Sequence, residues 1–197
     1  MKFQDVDFLT LSEYTLELAR QIRDSGYMPD HVLYVERVGL FLGHEMASYF
    51  NCSISGIYTS RSGASVKSAL KSVLRYLPRK VTHLLRQVEI KSNIHGVQKE
   101  RHAHIDGAFP PKNKNLLIVD DAVDTGSSLK VICDFLSAHG YKENNFKTAA
   151  LTVTQPNTIV RPDFVLFEDI AFCFPWAYDS RVYNEAWKRY DELKSQL

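Results

Sequence analysis

The chain has 197 residues, 45% of them apolar, with 24 basic against 23 acidic side chains, so it can bury one sizeable core and carries a formal charge of only +1. Its three cysteines, Cys52, Cys133 and Cys173, are isolated and lack metal-ligand spacing, which argues against a disulfide framework or a zinc site and for a reducing compartment. The opening MKFQDVDFLTLSEY places acids where a secretory leader needs an apolar core, and no apolar run reaches the roughly 18 residues of a membrane span, so a cytoplasmic address is expected.

Residues Leu11 to Ser25 read as a helix: Tyr14, Leu18 and Ile22 share a face with Leu11 and Thr15, Ser12 is the candidate cap, and Gly26 and Pro29 end it. His31 to Val35 reads as a strand, Leu40 to Phe50 as a helix and Ser53 to Tyr58 as a strand. Further on, Leu116 to Val119 is a continuous apolar run, the pattern of a strand buried on both faces. Leu129 to His139 follows as a helix closed by Gly140, then strands at Thr148 to Val153 and Phe164 to Phe167. This alternation predicts an α/β fold: an open, mostly parallel sheet flanked by helices, forming a single domain over residues 1–197.

Residues 61–115 stand apart. They hold 12 basic and 3 acidic side chains, a local charge of +9 that leaves −8 for the rest of the chain. Val66, Leu70, Val73, Leu74, Leu77, Val81, Leu84, Leu85 and Val88 follow helical spacing, with Pro78 expected to kink or split the helix. The expectation is a basic amphipathic helical insertion within the domain. It packs on the sheet or on a second subunit, or serves as a hood or lid that gathers positive charge around an anionic ligand. Nucleic acid or an anionic membrane could contact the same pattern, but without interleaved aromatic residues these partners are not favoured. His95, His102 and His104 have no fixed partner spacing, and a zinc site there is not favoured either.

The most informative run is Leu116 to Leu129, LLIVDDAVDTGSSL. Asp120 and Asp121 fall at the carboxyl end of a buried strand, where open α/β sheets bind ligands. Thr125, Gly126, Ser127 and Ser128 then form a small polar turn into a helix, whose unpaired amides and partial positive charge suit a phosphate. Paired carboxylates cannot face that phosphate; they suit vicinal hydroxyls or a divalent cation.

This run resembles the phosphoribosyl pyrophosphate (PRPP) binding motif of the type I phosphoribosyltransferases, with likeness to the xanthine-guanine and hypoxanthine enzymes. The resemblance implies that Asp120 and Asp121 hold the ribose hydroxyls and that Thr125, Gly126, Ser127 and Ser128 bind the 5′-phosphate. Ala122 and Val123 complete the PRPP or nucleotide-binding run, and Asp124 is the catalytic general acid/base. A second family signature, usually read as R-G-G and used to bind pyrophosphate, corresponds to Arg37, Val38 and Gly39, with Val38 in place of the first glycine. A β-branched residue disfavours positive φ, so the amides of this loop are expected to be less available than in the family. For the base, Gln155 stands where purine-specific members carry a lysine. Phe172, Phe174 and Trp176, in FCFPWAY, stand where they carry a stacking aromatic, and Asp179 where an acid contacts Mg2+.

The implied reaction transfers the 5-phosphoribosyl group from PRPP to a nucleobase, a purine by this likeness, with release of pyrophosphate and Mg2+ as cofactor. Purine salvage is the implied setting, and a homodimer the implied assembly. A non-catalytic PRPP- or nucleotide-binding regulator of the same fold is the alternative, favoured by Val38 and Gln155. A receiver domain, suggested by LLIVDD and by FVLFED at Phe164 to Asp169, needs roughly 110 to 120 residues after its acidic pair. Only 76 follow Asp121 here, and Glu168 occupies the phosphoacceptor place.

Overall fold

The computed structural model describes residues 2–61 and 101–197. The apolar pattern from Val66 to Val88, Pro78 and His95 lie outside the described residues. In chain order the elements are β1 (Lys2–Asp5), α1 (Phe8–Asp24), β2 (His31–Val35), α2 (Gly39–Phe50), β3 (Ser53–Arg61), β4 (Arg101–Ile105), β5 (Leu116–Val123), α3 (Ser127–Ala138), β6 (Phe146–Val153), β7 (Phe164–Glu168), β8 (Ile170–Cys173) and α4 (Tyr183–Lys194).

The main sheet has six strands in the order β4-β3-β2-β5-β6-β7, parallel throughout except for β4, which runs antiparallel to β3. A separate pair, β1 with β8, is parallel. All five residues of β2 are buried, as are Leu116, Leu117, Ile118 and Val119 of β5, because helices cover both faces of the sheet. One face packs Val32, Leu117, Val119 and Leu151 against Leu18 and Ile22 of α1 and Leu42 and Met46 of α2. The other packs Leu33, Val35, Ile118 and Ala150 against Leu129, Ile132 and Leu136 of α3.

Several element ends differ from expectation, β3 running on to Arg61 and β5 to Val123, and two differences have clear local reasons. Helix α1 starts at Phe8 rather than Leu11, because Asp7, not Ser12, is the cap: its carboxylate accepts from the Thr10 amide at 2.8 Å. Ser12 instead lies inside α1 and donates to Glu45 of α2. Residues 101–105, expected within the helical insertion, form β4, paired with β3 from Ile57↔Ile105 to Arg61↔Arg101.

Strand register decides what meets at the carboxyl edge of the sheet. Tyr34 pairs with Val119, so the turn leaving β2 at Glu36 lies beside Asp120 and Asp121 of β5. Val123 pairs with Val153, which brings Thr154 and Gln155 next to Asp124. Helix α2 sits close on this edge because Gly39 and Gly43 present no side chain to β2 and β5. A Cβ on Gly39 would lie 3.0 Å from the Val119 carbonyl oxygen, and one on Gly43 2.7 Å from Tyr34 Cβ.

Candidate functional site

Asp120 and Asp121 lie in the carboxyl-terminal half of β5, before its last residues Ala122 and Val123, and their carboxyl groups meet in a side-chain hydrogen bond. Each is tied to the backbone that follows it: Asp120 Oδ1 accepts from the Asp121 amide at 3.0 Å, and Asp121 Oδ1 from the Ala122 amide at 2.8 Å. The second oxygen of Asp121 accepts from Trp176 Nε1 at 3.1 Å. Burial and the neighbouring Asp121 charge hold the Asp120 carboxyl well above the usual carboxylate range. Burial also raises Asp121, opposed by its hydrogen bonds from Asp120, Trp176 and the Ala122 amide. The strand end therefore carries two partly desolvated acids that a hydroxyl-bearing or cationic ligand would relieve.

Beyond them the chain turns through Asp124 and Thr125 into α3. Gly126 adopts φ +75°, and no acid stands in the first turn of the helix, so no carboxylate on that turn opposes the partial positive charge of the helix start. Thr125 Oγ1 and Ser127 Oγ are 2.8 Å apart, and the Ser127 amide reaches Thr125 Oγ1 at 3.4 Å. The turn is braced from outside by the segment after β6: Ile159 N donates to the Thr125 carbonyl at 2.8 Å, and a Cβ on Gly126 would lie 2.4 Å from the Val160 carbonyl oxygen. Exposed Asp124 is held by Thr154, whose hydroxyl donates to Asp124 Oδ1 at 2.5 Å, while the Thr154 amide donates to the Val123 carbonyl. This arrangement offers anion-binding amides and hydroxyls at one end and paired acids at the other, with a third carboxylate at the rim.

The second loop, Glu36 to Gly39, has a cis Glu36–Arg37 peptide. Val38 has φ −85° and ψ −19°, inside the right-handed basin that a β-branched residue can adopt, so positive φ is not required at the position where the family has glycine. Gly39 carries the close-packing requirement instead. The Arg37 guanidinium carbon lies 5.9 Å from the Trp187 ring centroid on α4.

The aromatic residues lie deeper than the strand ends. Phe172, Phe174 and Trp176, which the resemblance sets against a base, are only 6%, 5% and 8% exposed and belong to the core beneath α1 and α2. Trp176 stacks on both Phe41 and Phe174, with centroids 5.0 and 4.9 Å away and planes within 3° and 9° of parallel. Its stacking partners are thus side chains of this chain, and its polar edge serves Asp121. Asp179 accepts from Cys173 Sγ at 3.6 Å, at the turn that leaves β8. Gln155 stands at the mouth of the site: its Nε2 is buried and has no hydrogen-bond partner among the described residues.

The model of the phosphoribosyl transferase domain family matches residues 15–181. The chain belongs to that family. No curated protein matches it in sequence. Among solved structures, the purine phosphoribosyltransferase of Pyrococcus horikoshii Ot3 superposes with a TM-score of 0.63 at 23% identity, over 90% of this chain and 95% of that one. The xanthine-guanine-hypoxanthine phosphoribosyltransferase of Helicobacter pylori gives 0.59 at 19% identity, over 90% and 95%. A hypothetical protein of Neisseria gonorrhoeae with bound ppGpp gives 0.61 at 14% identity, over 97% of each chain. At these identities the likeness establishes the phosphoribosyltransferase fold, a mostly parallel sheet with flanking helices.

Sequence reasoning missed two parts of this phosphoribosyltransferase site. One is the brace formed by Ile159 and Val160, which no motif marks. The other is α4, whose Lys194 and Tyr190 bond to Glu36 immediately before the Arg37 loop. Only Ala186 of α4 is buried, so its sequence carries little apolar signal.

The raised Asp120 carboxyl gives a test of the electrostatics. Because its folded-state value lies above the unfolded one, its contribution to stability is complete below the unfolded pKa and is lost as pH rises through the folded value. Asp120→Asn keeps the acceptor for the Asp121 amide and removes the charge. It is expected to raise the melting temperature of the ligand-free protein at pH 7, by an increment that shrinks as pH falls into the acid range, as calorimetry at several pH values will read. A variant less stable than the wild type at pH 7 would mean that the carboxylate is net stabilising.

Proposed function

We propose that this protein transfers the 5-phosphoribosyl group of PRPP to a ring nitrogen of a purine base and releases pyrophosphate. The observation that carries the reading is the juxtaposition on one strand-turn-helix unit of the desolvated pair Asp120 and Asp121 with the acid-free amino terminus of α3. Vicinal ribose hydroxyls would donate to the two carboxylates, and the 5′-phosphate would take the amides and hydroxyls of Thr125, Gly126, Ser127 and Ser128. Arg37, with the loop through Val38 to Gly39, would face the pyrophosphate. The backbone φ of Val38 supports a working loop despite the missing glycine.

As the bond from C1′ to pyrophosphate lengthens, the sugar becomes oxocarbenium-like, and the Asp120–Asp121 pair places negative charge on its side of the site. The attacking ring nitrogen forms the new bond to C1′ and gives its proton to Asp124, whose carboxylate is exposed at the rim and oriented by Thr154. Gln155 Nε2, a buried donor without a partner among the described residues, supports a contact to an exocyclic oxygen of the base. Trp176 acts through Asp121, holding its carboxylate in place.

Magnesium fits this donor set. Among the described residues no three His, Cys, Asp or Glu side chains form a metal-binding group, but magnesium is commonly held by one or two carboxylates together with substrate phosphates. When bound with PRPP it neutralises charge growing on the leaving pyrophosphate. Asp120 and Asp121 are carboxylates placed to share it, and Asp179, which accepts from Cys173 through Oδ1, is the further acid that the resemblance sets there. A reducing, cytoplasmic setting is supported by the free thiols of Cys52, Cys133 and Cys173, and no described helix is long and apolar enough to cross a membrane.

The test is pyrophosphate release on incubation with magnesium, PRPP and a panel of bases. Release with at least one purine is expected. Binding of PRPP or of a purine ribonucleoside monophosphate without release from any base would favour the regulatory reading. No heat of binding with either compound would overturn both.

A further inference from the structure

Glu36 lies between the end of β2 and Arg37, and its side chain is only 2% exposed. A carboxylate so buried must be matched by donors. Those donors come largely from the far end of the chain. Lys194 Nζ lies 2.7 Å from Glu36 Oε1, and Tyr190 donates to Glu36 Oε2 at 3.2 Å, both from α4. Lys194 also reaches Asp106 Oδ2 at 2.8 Å, the Tyr34 hydroxyl at 3.0 Å and the Tyr58 hydroxyl at 3.4 Å. Gly56 leaves the room this cluster occupies: a Cβ there would lie 3.0 Å from the Tyr34 hydroxyl and 3.1 Å from Glu36 Cγ. One residue further along the loop, the Arg37 guanidinium lies over Trp187 of the same helix.

We infer that α4 is a positioning element for the Arg37 loop, in which Lys194, with Tyr190, fixes the Glu36 carboxylate and so sets the backbone from which Arg37, Val38 and Gly39 meet the pyrophosphate end of the ligand. The inference rests on the reading of the site as one for PRPP. Three elements converge on one cation: β2 and the residue after it through Tyr34 and Glu36, β3 through Tyr58, and the turn after β4 through Asp106. Removing the cation leaves the Glu36 carboxylate buried with its principal partner gone. That group must then turn toward water, and Arg37 is the next residue. The phosphate turn is braced from elsewhere, by the Ile159 amide on the Thr125 carbonyl. The two halves of a PRPP site should therefore respond differently to a change at Lys194.

The experiment titrates wild type, Lys194→Met, Lys194→Arg and Tyr190→Phe calorimetrically with magnesium pyrophosphate and, separately, with a purine ribonucleoside monophosphate. Lys194→Met is expected to weaken pyrophosphate binding about tenfold or more while leaving the monophosphate within about twofold, since small misplacements of binding groups have effects of this order or larger. Lys194→Arg should restore most of the loss, and Tyr190→Phe, a milder change that tests the same carboxylate if Lys194→Met does not fold, should show a smaller selective loss. Pyrophosphate affinity unchanged in both Lys194→Met and Tyr190→Phe overturns the inference, as does equal weakening of the two ligands. Amide hydrogen exchange separates this from the reading beneath it. In the ligand-free protein, Lys194→Met should speed exchange at residues 37–40 and spare the first turn of α3, and unaltered exchange at 37–40 overturns the positioning role. A wild type that takes up neither ligand overturns the PRPP reading instead.

Discussion

Gly126→Ala is expected to lower the melting temperature by several degrees and to remove most of the affinity for a 5′-phosphate. Two independent costs meet at this residue. Its φ of +75° lies in the left-handed region, where a Cβ costs roughly 1–2 kcal/mol. The added Cβ would also lie 2.4 Å from the Val160 carbonyl oxygen and 2.8 Å from the Val160 nitrogen. Both obstacles are backbone atoms, so no rotamer change relieves them, and overpacking of this kind costs about 1–3 kcal/mol. The sum, about 2–5 kcal/mol, is a large share of the stability of a domain this size. The strain falls on the turn that aims the first amides of α3, and moving the 155–160 segment away would also loosen the Ile159 bond to Thr125. Because the clash is with main chain, truncation of the side chain in Val160→Ala should not rescue the variant. Thermal melting and titration with a ribonucleoside monophosphate check the result. A variant with an unchanged midpoint and unchanged affinity would show that neither the φ nor the close approach is required.

The parts of this molecule that were legible in the sequence are those where a short run of residues determines its own surroundings. Leu116 to Val119 reads as a doubly buried strand because four consecutive apolar side chains need cover on both faces, and all four are fully buried. The turn Thr125 to Ser128 reads as a helix entry because glycine and hydroxyl residues there do locally what such an entry requires. What the sequence hides depends on partners far along the chain. β4 alternates over only five residues, with Ala103 and Ile105 facing the core between exposed His102 and His104, too short a signal to stand out without its pairing with β3. β1 and β8 are short and complete one another across most of the chain's length. Lys194 and Glu36 are 158 positions apart, and neither carries a motif. The FCFPWAY run shows the opposite hazard: its aromatic residues match a base-stacking pattern, but the same chemistry also builds cores, and the Phe41–Trp176–Phe174 stack is a packing that no local pattern announces. Val38 differs again, since a residue type that argues against positive φ is accommodated by a backbone that does not need it.

Asp124→Asn should separate chemistry from binding. Asparagine matches aspartate in shape, and its carbonyl oxygen can still accept the bond that the Thr154 hydroxyl now makes to Asp124 Oδ1 at 2.5 Å. The turn between β5 and α3 therefore keeps its geometry, while the carboxylate that would receive the proton of the attacking nitrogen is gone. Loss of a positioned general acid or base typically lowers turnover by about 10² to 10⁴. Affinity for PRPP should stay within about threefold, because the groups assigned to the ribose and the phosphate, Asp120, Asp121 and Thr125 to Ser128, are untouched; threefold is roughly 0.7 kcal/mol, well below the about 2.7 to 5.4 kcal/mol implied for turnover. Steady-state rates of pyrophosphate release, set beside calorimetric titration of PRPP, make the comparison. Equal loss of turnover and binding would place Asp124 among the ligand-binding groups, and unchanged turnover would move the proton to another acceptor. The exposure of Asp124 sharpens the test: a solvated carboxylate contributes little to the stability of the fold, so a large kinetic effect with an unaltered melting temperature leaves the reaction itself as the step it serves.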